Sequence, residues 1–243
     1  MRNYGDKVQI DPDAVRQLFD DRFDANAPLL SVMLSTDKQK LLVRDENEKS
    51  LILPKLRLDQ SRSRVLDIGC GYGRWFEVLK GRVAHYEGCD VSEPYIELAK
   101  ATFRAHREAE FRVLSADALS ADSMRFAPYT LVISSALFHY LNDDQIEASL
   151  RQVLPLMVYK SQIYIRCSVS LMERRLTLKD FPSQEMGANY NAIYRTTEEY
   201  QDVFSKILKT EGFDVSSTDL LLDEKTGARA ETNQRYWLLE RGS

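Results

Sequence analysis

The feature that most constrains the fold is a run of glycines at alternate positions, directly after a short and mainly apolar stretch. Residues 65–68 form that stretch, and Gly69, Gly71 and Gly73 follow it. Glycine suits a turn in which a ligand approaches the backbone closely or in which φ is positive. The pattern predicts a strand, a tight turn and a helix that begins near Trp75. Backbone N–H groups left unpaired at the start of such a helix suit a polar or anionic ligand. The alternative interpretation is a plain strand-to-helix turn that binds no ligand.

A carboxylate at a set distance from this turn favours the ligand-binding interpretation. The next predicted strand covers residues 84–90 and ends at Asp90, 23 residues after Asp67. An acidic residue near this distance in a βαβ unit hydrogen-bonds ribose hydroxyls. The alternative role for Asp90 is that of a turn or helix-capping residue, because Pro94 begins the next predicted helix. Together with the glycine turn, the spacing favours ribose.

The rest of the chain alternates predicted strands and helices. Strands are predicted at residues 110–118, 129–134, 162–166, 213–222 and 233–240, and helices at 94–105, 144–157 and 196–210. The last two strands have no helix between them, which predicts an antiparallel final strand. The predicted fold class is therefore α/β, with a Rossmann-like sheet of seven mostly parallel strands, an antiparallel last strand and helices on both faces.

The first sixty residues precede the sheet and are predicted to form a helical segment. Asp11 and Pro12 are typical of a helix start, and a second helix is predicted at about residues 36–56. These helices either pack on the sheet or form a lid, in which Tyr4, Lys7 or Arg22 reaches the ligand. The predicted domains are residues 1–60, the helical segment or lid, and residues 61–243.

Composition narrows the function classes. A net charge of −4 and a pI near 5.6 argue against a nucleic-acid partner, which would require a basic surface. No apolar run reaches transmembrane length, and the first residues lack the apolar core of a signal peptide. The three cysteines and three histidines show no metal-ligand spacing. We therefore expect a cytoplasmic protein without a metal, a nucleic-acid partner or a membrane partner; the pattern indicates no particular oligomeric state.

The glycine motif resembles the first motif of the class I S-adenosylmethionine-dependent methyltransferases. It reads Gly-x-Gly-x-Gly, and Arg74 stands where a dinucleotide fingerprint has its third glycine. The resemblance covers about residues 61–241 and implies S-adenosylmethionine as the cofactor. It implies that the turn holds the methionine end and that the third strand's end, at residues 117 and 118, meets the adenine. The predicted cofactor-binding residues are Asp67, Gly69, Cys70, Gly71, Asp90, Val91, Asp117, Ala118 and Ser134.

The predicted acceptor site lies beyond the fourth and fifth strands. The segment after the fourth strand resembles the family's fourth motif and contains His139, interpreted either as a general base or as a group that orients the acceptor. A long acceptor-side insertion at about residues 167–195 contains Tyr190 and Arg195, and Arg166 ends the strand before it. Arginine and tyrosine together suit a carboxylate or phosphate. The alternative is a solvated loop whose arginines pair with nearby acidic residues.

These patterns predict a methyltransferase that acts on an oxygen of a small molecule. The hypothesis for the acceptor is an anionic metabolite or glycan precursor that bears a phosphate, phosphonate or carboxylate. Three alternatives remain open: a small-molecule N-methyltransferase, an NAD-dependent oxidoreductase or epimerase, and a non-catalytic cofactor-binding protein. Arg74 and the lack of a Tyr-x-x-x-Lys pair beyond the sheet argue against NAD.

Overall fold

A seven-stranded mixed sheet organises the computed structural model, which describes residues 1–33, 37–183, 187–223 and 229–242. Its strands, in chain order, are β2 (Arg64–Ile68), β3 (His85–Asp90), β4 (Ala109–Val113), β5 (Tyr129–Ser135), β6 (Met157–Ser170), β9 (Asp214–Leu220) and β10 (Thr232–Arg241). They lie in the order β4-β3-β2-β5-β6-β10-β9, and β10 runs antiparallel to both of its neighbours. The predicted seven-stranded sheet with its antiparallel last strand is confirmed.

Helices cover both faces of this sheet, as predicted. The helices of the described residues are α1 (Pro12–Asp21), α2 (Pro28–Val32), α3 (Lys38–Ile52), α4 (Phe76–Leu79), α5 (Glu93–Thr102), α6 (Asp143–Val153) and α7 (Thr197–Ile207). On β2, Leu66 packs into the core under α6 and α7, whereas Val65 packs into the opposite core under α4 and α5. Successive strand residues alternate between faces, so a strand covered on both sides is apolar throughout.

A second, smaller sheet lies beside the main one and corrects the interpretation of the insertion as a loop. β7 (Leu176–Ser183) and β8 (Ala188–Tyr194) pair antiparallel, and β1 (Arg2–Tyr4) pairs antiparallel with β7. The predicted N-terminal helical segment therefore also contains a strand. Alternate side chains of β7 and β8 pack with Leu18 of α1 in a separate apolar cluster. That packing joins the first residues of the chain to the insertion.

The N-terminal helices begin as expected and end slightly earlier. The Asp11 side chain accepts a hydrogen bond from the backbone N–H of Asp13, and Pro12 is the first residue of α1. The helix predicted at 36–56 is α3, which ends at Ile52 and continues as a short 3₁₀ turn that contains Pro54. Its predicted first residue, Thr36, lies outside the described residues.

The described part of the chain has neither a candidate membrane-spanning helix nor a candidate metal-binding cluster. None of the helices there combines the length and the apolar character needed to span a membrane. In the same part of the chain, no three His, Cys, Asp or Glu side chains are grouped so that they could hold a metal ion. All three cysteines are buried free thiols.

Candidate active site

A cavity of about 490 Å³ lies at the carboxyl ends of β2 to β6. One half is lined by the glycine turn and the ends of β3 and β4, and the other by the ends of β5 and β6 and by side chains of β7, β8 and β10. Residues of α1, α2 and α3 complete the wall. In open α/β sheets this edge is where ligands bind, so both halves of the predicted site open into one cavity.

The glycine turn leaves no room for side chains. Gly69 has φ +75° and Gly71 has φ +53°, a region that favours glycine. A Cβ on Gly69 would lie 3.2 Å from the Leu137 side chain, and one on Gly71 would lie 3.1 Å from Val32. Gly69, Cys70 and Gly71 line the cavity, but their backbone N–H groups already donate to the Cys89 carbonyl and the Asp90 carboxylate. Gly73 has a different role, because a Cβ there would meet buried aromatic rings.

Asp90 lies at the end of β3, on the cavity wall, where a ribose-binding carboxylate is predicted. Its Oδ2 accepts a hydrogen bond from the Gly71 N–H at 2.9 Å, and its Oδ1 accepts one from the Ser92 N–H at 3.0 Å. Burial raises the pKa of Asp90, and these two backbone donors oppose that rise. Each carboxylate oxygen keeps a further lone pair for a hydroxyl. Val91, beside it, is 41% exposed and also lines the cavity.

Two other predicted cofactor residues lie beneath the wall. Asp67 is fully buried, its Oδ2 accepts a hydrogen bond from the Tyr86 hydroxyl at 2.5 Å, and burial raises its pKa to about 7. Its Oδ1 has no partner among the described residues. Ser134 is buried as well, and its neighbour Ser135 faces the cavity instead, because successive residues of β5 point to opposite faces. Any role of Asp67 or Ser134 in cofactor binding would therefore be indirect.

The predicted adenine contacts also differ from the structure. Ser115 and Ala116 line the cavity, whereas Asp117 and Ala118 do not. The Asp117 carboxylate accepts hydrogen bonds from Ser115 and from the Gln145 amide, and the Ala118 N–H donates to the Ser115 carbonyl at 3.1 Å. β4 ends at Val113, earlier than predicted, so the turn after it begins sooner and changes which residues face the cavity.

His139 lies in the acceptor half of the cavity and is only 4% exposed. Its Nδ1 accepts a hydrogen bond from the Ser168 N–H at 3.4 Å, which assigns the ring proton to Nε2. Burial, then the charges of Arg166 and Arg195, lower the pKa of His139 to about 3. The ring is thus neutral near pH 7 and acts as a hydrogen-bond donor at Nε2. Of the two predicted roles, this geometry favours orienting the acceptor.

Arg166 faces the same half of the cavity from β6. Its Nε donates to Ser135 Oγ at 3.0 Å and lies 3.1 Å from Glu48 Oε1, while its Nη1 donates to Gln234 Oε1 at 3.0 Å. Nη2 makes no hydrogen bond to the described residues. The guanidinium is held at Nε and at Nη1, which leaves Nη2 for a ligand.

Glu48 of α3 is a cavity residue that the sequence did not reveal. It is 3% exposed and accepts hydrogen bonds from Tyr164 and Ser135, each at 2.8 Å. Although burial acts to raise its pKa, Arg166 and Arg74 lower it to about 2, so Glu48 is ionised. The sequence offered one signal for such a residue. Arg74 directly follows the glycine turn, and an arginine buried at that place requires an acidic partner.

Tyrosine hydroxyls form a chain along the wall made by the second sheet. The Tyr194 hydroxyl donates to Tyr190, and the Tyr190 hydroxyl donates to Tyr140, each over 3.2 Å. All three residues line the cavity, and burial raises the pKa of each hydroxyl. Tyr190 therefore lines the cavity with an uncharged hydroxyl, whose proton is donated to Tyr140.

Arg195 does not line the cavity, which corrects its predicted role as an acceptor ligand. It is 1% exposed and donates to the carbonyls of Phe138 at 3.0 Å and Leu141 at 2.8 Å, and to Asp143 at 2.7 Å. These bonds hold the turn that carries His139, so Arg195 positions the histidine instead of touching a ligand.

The residues suggested for a lid contact also lie elsewhere. Tyr4 donates to Glu231, Lys7 lies 3.7 Å from Asp143, and neither they nor Arg22 line the cavity. The N-terminal segment reaches the cavity through other side chains, including Phe19 of α1 and Glu48 of α3.

Comparisons with known proteins agree with this architecture. Residues 65–158 match the family described as "Methyltransferase domain". Malonyl-[acyl-carrier protein] O-methyltransferase of Paenibacillus sp. is 31% identical over 103 residues, which cover 40% of this chain and 36% of that protein. A similar solved structure is that of Haemonchus contortus phosphoethanolamine N-methyltransferase 1, in complex with phosphoethanolamine and S-adenosylhomocysteine. Its sequence is 20% identical to this one, its TM-score is 0.71, and the match covers 95% of this chain and 48% of that chain.

A further solved structure covers both chains almost entirely. Magnesium protoporphyrin IX methyltransferase of Synechocystis, with bound S-adenosylmethionine, is 15% identical with a TM-score of 0.62, over 98% of this chain and 100% of that one. At such identities the likeness shows the fold. The matches span less than half of the Paenibacillus and Haemonchus proteins. The family match coincides with the cofactor half of the cavity and with the turn that carries His139.

Proposed function

The methyltransferase domain places this chain among the class I S-adenosylmethionine-dependent methyltransferases, with S-adenosylmethionine as the cofactor, and on that premise we propose that it methylates an oxygen of a small, anionic acceptor. The acceptor class is a metabolite or glycan precursor that bears a carboxylate, phosphate or phosphonate. The cofactor half and the acceptor half of the cavity support this proposal in different ways.

The residues of the cofactor half fit S-adenosylmethionine. The backbone of Gly69 to Gly71 lines the cavity without a Cβ at either glycine, and the Asp90 carboxylate lies beside it on the cavity wall. Asp90 oxygens suit ribose hydroxyls, and the glycines allow the amino-acid end to approach the backbone closely. The bound cofactor supplies an activated methyl group on a sulfonium, so the protein's main tasks are to align the acceptor and exclude water.

The observation that carries the proposal is the setting of His139, which is buried, accepts a hydrogen bond at Nδ1 from the Ser168 N–H and lines the cavity together with Arg166. A neutral hydroxyl or a protonated amine must lose a proton before or during transfer, which requires a base with a pKa near neutrality. The pKa of His139 is about 3 and that of Glu48 about 2, so both are poor bases. An ionised carboxylate or phosphate oxygen needs no base. His139 Nε2–H and Arg166 Nη2 then orient it by donating hydrogen bonds, which fits an anion.

The charge of the cavity wall also favours an anion. Five arginines and three carboxylates line it: Arg16, Arg44, Arg74, Arg166 and Arg229, and Asp13, Glu48 and Asp90. A cavity with an excess of one charge attracts ligands of the opposite sign and raises their local concentration. All five of these arginines also interact with other groups of the protein, so the excess of cations on the wall, more than any single unpaired arginine, favours an anion.

The Paenibacillus relative supports oxygen over nitrogen as the methylated atom. That protein is an O-methyltransferase of malonyl-[acyl-carrier protein], and a malonyl group ends in a carboxylate. The support concerns the type of acceptor atom, because the match spans little more than a third of that protein. A nitrogen acceptor remains the alternative that an experiment must separate.

Transfer from ¹³C-methyl S-adenosylmethionine to a panel of acceptors tests the proposal. The panel pairs carboxylates, phosphates and phosphonates with amines of similar size, and the product methyl is identified by its carbon chemical shift. We expect an oxygen-bound methyl on an anionic acceptor. A nitrogen-bound methyl, or turnover of neutral alcohols with none of the anions, would overturn the proposal.

A further inference from the structure

A carboxylate from the N-terminal segment joins two arginines that approach the cavity from different strands. Glu48 of α3 lies 3.0 Å from Arg74 Nη1 through its Oε2 and 3.1 Å from Arg166 Nε through its Oε1. Arg74 follows the glycine turn, and Arg166 faces the acceptor half. One side chain of α3 therefore contacts both the cofactor-side and the acceptor-side cation.

The two guanidinium groups are close enough to repel each other strongly. Both donate to the same atom, Ser135 Oγ, Arg74 through Nη2 at 2.8 Å and Arg166 through Nε at 3.0 Å. Their side chains are almost fully buried, 8% and 3% exposed, where water screens charge poorly. A negative charge between them is required for both to keep these positions, and Glu48 supplies it.

The contacts of Glu48 also fix which nitrogen of Arg166 remains available. Glu48 and Ser135 occupy Nε, and Gln234 occupies Nη1. Nη2 is left without a hydrogen bond to the described residues. We propose that Glu48 is a positioning residue, which holds Arg166 so that Nη2 is directed at the acceptor. This inference rests on the proposed function and adds to it the residue that arranges the acceptor-binding cation.

Asp45 provides a matched control on the same helix. Its carboxylate pairs with Arg74 and, at 2.7 Å, with Lys49, whereas the side-chain partners of Arg166 among the described residues are Glu48, Ser135 and Gln234. Asp45 does not line the cavity. Loss of either carboxylate removes one negative charge beside Arg74. Only the loss of Glu48 releases Arg166, so the two variants separate a specific effect from a general loss of charge.

The first measurement observes Arg166 without any acceptor. In ¹⁵N spectra of arginine Nε–H groups, the Arg166 resonance is assigned by its loss in Arg166→Lys. In Glu48→Gln we expect its exchange with solvent to quicken at least about tenfold, because the carboxylate that pairs with Nε is gone and only the hydrogen bond to Ser135 Oγ holds it. In Asp45→Asn we expect no change beyond about twofold. Unchanged exchange in Glu48→Gln, or equal acceleration in both variants, would overturn the inference.

The second measurement uses the acceptor found in the panel above. We expect Glu48→Gln to lower kcat by about 10²-fold, as expected for a misplaced binding group, with the Kd of S-adenosylmethionine changed by less than about threefold. Asp45→Asn should keep kcat within about threefold. A kcat in Glu48→Gln equal to wild type would contradict the inference even if the Arg166 resonance changes.

Two outcomes keep this inference separate from the proposed function. If the wild-type protein methylates no anion, the proposed function fails, while the Arg166 resonance still shows whether Glu48 holds that side chain. If Glu48→Gln does not fold, Glu48→Asp replaces it, because a carboxylate one methylene shorter weakens the contact with Arg166 but keeps the charge. The same two effects, at smaller amplitude, are then expected, and their absence would overturn the inference.

Discussion

The neutral state of His139 makes a quantitative prediction for stability against pH. In the unfolded chain the imidazole pKa is about 6.5, whereas in the folded protein it is lowered to about 3 by burial and by two nearby arginines. As the pH falls through 6.5, the unfolded state binds a proton that the folded state does not bind. The contribution of His139 is therefore most favourable at higher pH and is lost progressively between pH 6.5 and pH 3.

The two pKa values set the size of the effect. Between pH 7 and pH 5 the free energy of unfolding should fall by about 2 kcal/mol through His139 alone. Side chains such as Glu48 and Asp67 also titrate abnormally, so the wild-type curve by itself does not isolate the histidine. His139→Gln removes the titrating group and keeps a polar side chain, and the other groups remain in both proteins.

Urea unfolding at pH 5, 6 and 7 of wild type and His139→Gln measures this contribution. We expect wild type to lose about 2 kcal/mol more than the variant over that range. Parallel curves would refute the reasoning, because they would mean that His139 gains a proton in the folded state as readily as in the unfolded one. The imidazole would then also be basic enough for general-base catalysis, and the argument for an ionised acceptor would lose its support.

Three further changes test other parts of the site and the fold. Asp90→Asn should weaken S-adenosylmethionine binding at least about tenfold, through the loss of charge-assisted bonds to ribose, and unchanged affinity in calorimetry would falsify that assignment. Gly69→Ala should lower both cofactor affinity and stability, the latter by about 1–2 kcal/mol, since φ is +75° and Leu137 lies 3.2 Å from the new Cβ; wild-type unfolding in urea would contradict this. Glu87→Gln should cost about 3–5 kcal/mol of stability, because this fully buried carboxylate accepts hydrogen bonds from four residues; a loss below about 1 kcal/mol in the same assay would show that the network tolerates an amide.

Much of the fold could be predicted because its signals are local. The strand-turn-helix at residues 65–79 is encoded by an apolar run, three glycines and a helix start within fifteen residues. The antiparallel last strand follows from the missing helix before it. The same locality explains why the glycine turn directly follows β2 and why Asp90 ends β3, as the sequence predicts, since each position depends on one strand end and the turn that follows it.

The acceptor half was harder to predict because its contacts join distant parts of the chain. Glu48 and Arg166 are 118 positions apart, and no local pattern links them. β1 pairs with β7 across more than 170 residues, so the tripeptide Arg2–Tyr4 gives no sign of being a strand. One signal was overlooked: alternate apolar residues at 190, 192 and 194, after Gly187, are typical of a strand in a hairpin.

Arg195 shows why residue type alone misassigns function. An arginine beside tyrosines suits anion binding, yet this one donates to two backbone carbonyls and a carboxylate inside the protein. The residue type was suited to the predicted role, but the side chain points into the protein and does not line the cavity. Arg195 directly follows β8, and its partners lie 52 to 57 positions earlier in the chain, so no local pattern predicts the direction of its side chain.

The division of the cavity has a consequence for how such proteins diverge. One side of the cavity is lined by a continuous stretch of chain, from the glycine turn to the end of β4, whereas the other side is lined by short pieces of α1, α3, β6, β8 and β10. On the proposed function, the first stretch holds the methyl donor and the short pieces enclose the acceptor. Substitutions in those pieces are then expected to change acceptor choice with little effect on the donor, and most of these pieces lie outside residues 65–158, the part that matches the family.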